Sequence, residues 1–260
     1  MKITDAHAHM EFEDYDKDRD EVIERCRKNN VKYIVNNGTN PESNRKTLEL
    51  SKKYNIILPA LGYYPLYVMN CSEEEFNKEL MFIEENKPVA IGEIGLDFSK
   101  GDKADGEHEL DEKDKENMIK YFKKLINLGK KLNIPLIIHS RKAELETIEI
   151  LEKLNYKKII MHCFSGRKHL VKRIIDNKWY FSIPVNITYL HHFQNIVNLC
   201  PENKLLTETD SPFLGPKGIQ RNDPTHINQS LKKMSEIKNI KKEEMADVIF
   251  NNFTKLFLKK

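Results

Sequence analysis

With 260 residues, 39% hydrophobic and 32% charged side chains and a formal net charge of +3, the chain is long for an ordinary domain but suits one α/β barrel, which takes about 250 residues. No apolar stretch approaches the roughly 20 residues of a membrane span, and a strand starting almost at Met1, followed by a very charged stretch, leaves no signal peptide, so a cytoplasmic protein is expected, with no membrane and no inferred protein partner. So small a net charge excludes an overall basic field as an argument for nucleic acid, and Cys26, Cys71, Cys163 and Cys200, without CxxC spacing, exclude a zinc ribbon or a small disulfide-stapled domain.

Lys2 to Asp5 reads as a first strand and Asp16 to Asn29 as a helix with Val22, Ile23 and Cys26 on one face. Val31 to Val35 is a second strand, Pro41 to Tyr54 a helix with Pro in its first turn, and Ile56 to Leu61 a third strand closed by Gly62. Ser72 caps a helix to about Asn86, and Pro88 to Ile94 is the fourth strand. Phe98 to Lys115, the most polar insertion, reads as a loop. Met118, Phe122, Leu125, Leu128 and Leu132 then recur at helical spacing before a fifth strand, Pro135 to Ile138. Helices over Ala143–Leu154 and Arg167–Asn177 alternate with strands over Lys158–Met161 and Trp179–Ile183, and Lys204 to Thr207 is the eighth strand. Helices from about Thr225 to Ile237 and Lys241 to Leu258 close the chain.

Eight strands alternating with helices predict a TIM (β/α)8 barrel, one domain over residues 1–260, although an open doubly wound sheet has the same local pattern. The potential metal ligands decide between them. His7 and His9, Glu93, His139, His162 and Asp210 stand at the downstream ends of strands one, four, five, six and eight, whereas an open sheet gathers its site at one switch point. Four imidazoles and two carboxylates are enough for two divalent ions with open positions.

His7 and His9, two apart on an extended segment, point to one side and can reach one ion, with Asp5 in support of either ring. Glu93, between Gly92 and Gly95, is a carboxylate on a central strand and is costly to bury unless paired; a bridge between two ions or a salt bridge would each remove the cost. His139 and His162 end successive apolar strands at equal depth. Ser140, Arg141, Ser165 and Gly166 follow them and offer hydroxyl, guanidinium and a helix N-terminus to an anion such as phosphate. In LLTETDSP, Asp210 is the better ligand and is placed to accept the proton of an attacking water, while Glu208 lies one layer deeper as a supporting carboxylate. Asp97 is a supporting group or a loop cap. Thr209 and Ser211 are expected to fix the turn, and His108, His169, His191, His192 and His226 to be structural or solvated.

HAH, GEIGLDF, IIHSRKA, HCFSG, ETDSPFL and RNDP, in this order, resemble the TatD family of metal-dependent hydrolases, and Asn252, Leu256 and Phe257 resemble its closing N-x-x-x-L-F. The resemblance spans essentially the whole chain. It implies His7, His9, Glu93 and Asp210 at one ion, Glu93, His139 and His162 at the other, and a deoxyribonuclease-type phosphodiesterase often acting from 3′ ends. One departure stands out: where family members commonly carry G-x-H-P after the third strand, this chain has Gly62, Tyr63, Tyr64 and Pro65. A phenol can hydrogen-bond to phosphate or stack on a base, but with a pKa of about 10 it cannot carry protons near neutrality.

The expected mechanism therefore uses two divalent ions, Asp210 as base, Glu93 as bridge, and Arg141 and Arg221 as a phosphate clamp, with a loop salt bridge the alternative for Arg221 and a helix cap the alternative for Asn222. Tyr63, Tyr64 and Tyr67 are candidates for a base-stacking platform. Imidazole-rich ligation favours Zn, Mn or Co, and the carboxylates also admit Mg. DNA, single-stranded or at its 3′ ends, is the expected substrate. Hydrolysis of an ester or amide, such as deacylation of D-aminoacyl-tRNA, is the alternative, and a non-catalytic nucleic-acid-binding barrel is disfavoured by ligands at all six positions. Glu93 also argues against the phosphotriesterase-like branch, which often bridges its metals with a carboxylated Lys.

Overall fold

The computed structural model describes residues 1–69, 71–99, 101–103, 106–108 and 110–258, with backbone alone at 101–103 and 106–108. In chain order the elements are β1 (Ile3–Ala8), α1 (Arg19–Lys28), β2 (Val31–Asn37), α2 (Pro41–Lys53), β3 (Ile57–Leu61), α3 (Pro65–Val68), α4 (Glu73–Asn86) and β4 (Ala90–Asp97). There follow β5 (Gly101–Lys103), β6 (Gly106–His108), α5 (Glu112–Leu132), β7 (Leu136–Arg141), α6 (Glu144–Leu154), β8 (Ile159–His162), α7 (Lys168–Asp176) and β9 (Tyr180–Ile183). α8 (His191–Leu199), β10 (Leu205–Thr207), α9 (Ile227–Lys238) and α10 (Lys242–Phe253) complete the chain.

β1, β2, β3, β4, β7, β8, β9 and β10 form one parallel sheet in that order. Its two edges meet where Ala8 bridges Ser211, with the Asp210 N–H donated to His7 O (2.9 Å) and the His9 N–H to Ser211 O (2.8 Å). The result is a nearly closed TIM barrel. β4 and β8 are buried along their whole length, as parallel strands covered on both faces are, and the polar residues Glu93 and Asp97 of β4 come only towards its carboxyl end.

Two apolar layers hold the barrel. Inside it, Ala6, Val35, Ala60, Ala90, Ile137, Ile160 and Leu206 pack together, and Phe253, Leu256 and Phe257 from α10 and the turn after it close the end near Tyr33, Leu58, Val89 and Tyr180. Outside it, the helices cover the opposite faces of the strands. One end of the barrel is thus plugged by hydrocarbon, and the candidate metal ligands are left to the other, at the carboxyl ends of the strands.

The insertion expected to be a loop contains the antiparallel pair β5–β6, and α5 starts before Lys115, with Asp111 capping it through the Asp114 N–H (2.8 Å). Three-residue strands are too short to show a two-residue period. The side chain of His108 lies outside the described residues. α8 was absent from the expected elements, although Phe193, Ile196 and Val197, buried on one face, carry a helical spacing. Among the described residues, no helix is long and apolar enough to cross a membrane.

Candidate metal centre

His7 and His9 leave the end of β1 with their Nε2 atoms only 3.0 Å apart. His9 donates its Nδ1–H to Asn37 O (2.8 Å), which leaves Nε2 as the free lone pair. His162 meets Glu208 through Nδ1 (2.8 Å) and His139 meets Asp97 through Nε2 (2.9 Å), so each turns its other nitrogen inward. This carboxylate–histidine pairing is the arrangement that orients metal-ligating imidazoles and raises their basicity. Asp5 does something else: it accepts the backbone N–H groups of His7 (3.1 Å) and Thr209 (3.0 Å), pinning β1 to the segment after β10 rather than supporting a ring.

Glu93 lies in the middle. Its Oε2 is 3.6 Å from His7 Nε2 and 3.5 Å from His9 Nε2, while Oε1 is 2.8 Å from His139 Nδ1 and 3.9 Å from His162 Nε2. Asp210 Oδ1 is 3.3 Å from His7 Nε2, 3.5 Å from His9 Nε2 and 3.9 Å from His162 Nε2. Two glycines make room for this approach. A Cβ on Gly62 would come within 2.7 Å of Glu93 N, and one on Gly95, at φ +153°, within 1.9 Å of His139 O.

The donor set fits divalent ions. Tetrahedral bonds of about 2.0–2.1 Å place ligand atoms about 3.4 Å apart; the His7 and His9 Nε2 atoms are 3.0 Å apart and stand 3.3–3.6 Å from the nearer oxygens of Glu93 and Asp210. His7 Nδ1 is buried without a partner, so Nε2 is the only nitrogen of that ring with polar company. Two groups of three donors lie within 4.8 Å of one another: His7, His9 and Asp210, and His7, Glu93 and His162. His139 stands further out, its ring centroid 6.3 Å from that of His162.

The electrostatics point the same way. Burial and the stacked His162 ring push His7 down to about 4. Burial also opposes charge on His162, but Glu208 and Asp210 outweigh it and lift its pKa to about 9. His9 is likewise raised, because Asp210 and Glu11 overcome burial. Burial would raise Glu93, yet His139 and His7 draw it down to about 2, and His162 holds Asp210 well below the usual carboxylate range against the same burial. Protons on the imidazoles thus supply the positive charge that two buried carboxylates need, and a cation can take their place.

The expected substrate-binding residues separate. Arg141 is exposed at the end of β7 with no ion pair among the described residues. Ser140, next to it, is turned by strand alternation to the other side from His139, its hydroxyl buried without a partner. Arg221 engages Asp18 (2.5 Å) and the Asp14 carbonyl, so its fork ties the last long loop to the start of α1: the salt bridge is what forms. Asn222 holds that loop through Thr209 O and Phe213 O (2.8 Å each), and the cap of the following turn is Asp223, not Asn222. Ser165 faces Glu144 (3.4 Å). Tyr63 is buried against Phe76 and leaves the stacking platform. Tyr64 donates its hydroxyl to Asp97 Oδ2 (3.0 Å), the oxygen that His139 also uses. Glu11 was not anticipated: it is buried beside His9 Nδ1 (3.7 Å) and accepts from Asn36 and Ser43, a contact for which a lone Glu two residues after HAH gives little signal.

A barrel of this topology, with imidazoles and carboxylates converging at the carboxyl ends of its strands, defines a metal-dependent hydrolase. The profile of the family described as TatD related DNase matches residues 4–258. The chain is 34% identical to the human (Homo sapiens) deoxyribonuclease TATDN3 over 99% of its own length and 95% of that protein. It is 35% identical to a metal-dependent hydrolase of Methanocaldococcus jannaschii over 99% of this chain and 97% of the other. The chain belongs to the TatD family. Its fold is shared with the crystal structure of the Escherichia coli TatD homologue YJJV, at a TM-score of 0.88, 24% identity and coverage of 99% and 98%.

Proposed function

We propose that the centre holds two divalent ions and that the protein cleaves phosphodiester bonds of DNA, releasing nucleotides from the 3′ ends of single strands. His7, His9, Glu93 and Asp210 would hold one ion, and Glu93, His139 and His162 the other. The observation that carries this reading is Glu93, whose two oxygens face different pairs of imidazoles. Divalent ions held by these residues would supply Lewis acidity, lowering the pKa of a water towards neutrality and offsetting charge on the phosphoryl oxygens.

The chain's own groups do the rest. Asp210, kept ionised and with 16% of its side chain exposed, accepts the proton of the attacking water. Glu208 and Asp97 fix the rings of His162 and His139, and Arg141 meets the substrate phosphate. Tyr64 acts on Asp97 and not as a proton carrier, because burial and the nearby Glu93 and Asp97 carboxylates raise its pKa still further. DNA as substrate is supported by the family's description and by the name of the human relative. Four free cysteines suit a reducing, cytoplasmic setting.

The test is hydrolysis of 3′-labelled single-stranded DNA without added metal and with Mg, Mn, Zn or Co, beside the His139→Ala and Asp210→Ala variants. Stepwise shortening that needs metal and disappears in both variants is expected. Intact DNA under every metal, with bound metal shown by elemental analysis, would refute it and direct the search to aminoacyl-tRNA and ester substrates.

A further inference from the structure

Two rows of aromatic rings run outward from the centre, one from each half. Phe12 stacks on His9, centroids 4.9 Å apart and planes at 15°, and Phe213 meets Phe12 edge-on at 5.9 Å and 72°. On the other side Tyr64 meets His139 edge-on at 4.9 Å and 65°, and Tyr67 meets Tyr64 at 5.7 Å and 60°. Each row ends in solvent: Phe213 and Tyr67 are both 52% exposed. Among the described residues the exposed aromatics are Tyr67, Tyr189 and Phe213, and all three follow the carboxyl ends of barrel strands. Exposed rings are thus gathered on the one face that carries the centre.

We propose that Phe213 and Tyr67 are nucleobase platforms, so that the two bases flanking the scissile phosphate stack one on each side of the centre. This rests on the nuclease reading and extends it to what selects the substrate. Base–aromatic stacking tolerates any sequence, since every base presents a π-face, and it needs bases freed from their own stack. Single strands meet that requirement at no unpairing cost, and an intact duplex does not. The rings are also well anchored for such use. Phe213 is tied to the turn of Asp210 by its N–H to Asp210 O (2.8 Å), and Tyr67 to that of Tyr64 by its N–H to Tyr64 O (3.0 Å). Each platform is therefore indexed to a residue of the centre, which sets the phosphate between them.

The experiment compares kcat/KM with Mn for three single-stranded oligonucleotides: unmodified, abasic at the 3′-terminal nucleotide, and abasic at the penultimate one. The proteins are the native chain, Phe213→Ala, Tyr67→Ala and Phe213→Trp. An abasic nucleotide at either position is expected to lower kcat/KM of the native chain about tenfold. Phe213→Ala should lose about tenfold on the unmodified strand and become indifferent to one abasic position, and Tyr67→Ala indifferent to the other, with Phe213→Trp retaining the native pattern. Equal losses on all three strands, or abasic strands cut as fast as the unmodified one, would overturn the proposal while leaving the nuclease reading intact. A native chain that cuts none of the strands would take both down.

Discussion

Around His7 and His9 the two Nε2 atoms stand 3.0 Å apart and 3.3–3.6 Å from the oxygens of Glu93 and Asp210, close to ligand–ligand spacing, whereas around His139 the ring leans directly on Glu93 at 2.8 Å and on Asp97 at 2.9 Å. The first half is pre-spaced and the second is pre-oriented. The difference follows from the chain. His7, His9 and Asp210 sit where β1 meets the segment after β10, and backbone hydrogen bonds fix that seam. His139 instead depends on a side chain, Asp97, which Tyr64 and Ser99 also contact. The first half should therefore bind metal tightly, and the second should respond to its neighbours.

The largest expected effect breaks the first half: Asp210→Ala should lower kcat on a phosphodiester by about 10²–10⁴-fold, the usual worth of a positioned acid–base group, as read by steady-state kinetics. Next, Asp97→Asn should weaken the second ion about 10–100-fold and leave the first within about twofold, as followed by Mn titration of the metal-free protein. Equal weakening of both ions would erase the distinction between the halves. Removing metal should lower Tm by about 5–10 °C, restored by added Mn or Zn, because an ion at about 100 times its Kd stabilises by about 2.7 kcal/mol; calorimetry reads this.

Smaller effects sharpen the comparison. Tyr64→Phe leaves Asp97 Oδ2 to His139 alone, so the second ion should tighten by about threefold with the first unchanged. The smallest change separates the two arginines. Arg221→Ala removes a partly exposed pair with Asp18 and should cost about 0–1 kcal/mol in denaturant unfolding without changing KM. Arg141→Ala should raise KM for DNA and leave stability within about 0.5 kcal/mol.

The sequence alone determined the barrel and the places of the six candidate ligands at its mouth: in β4, β7 and β8 the apolar run of a strand buried on both faces ends at Glu93, His139 and His162, while His7, His9 and Asp210 stand out by their spacing in HAH and ETD. It likewise exposed the helices whose apolar faces recur at 3.6 residues. Only the tertiary structure decided which neighbours each polar group meets. Asp5 binds backbone and not a ring, Arg221 is spent on Asp18, Tyr63 is core while Tyr64 reaches Asp97, and Phe12 and Phe213, about 200 residues apart, touch. The contacts of Asp5, Arg221 and Phe12 are made by closure of β1 on the segment after β10, and those of Tyr63 and Tyr64 by packing of the segment after β3 on α4 and β4; no local periodicity encodes a choice of partner across elements.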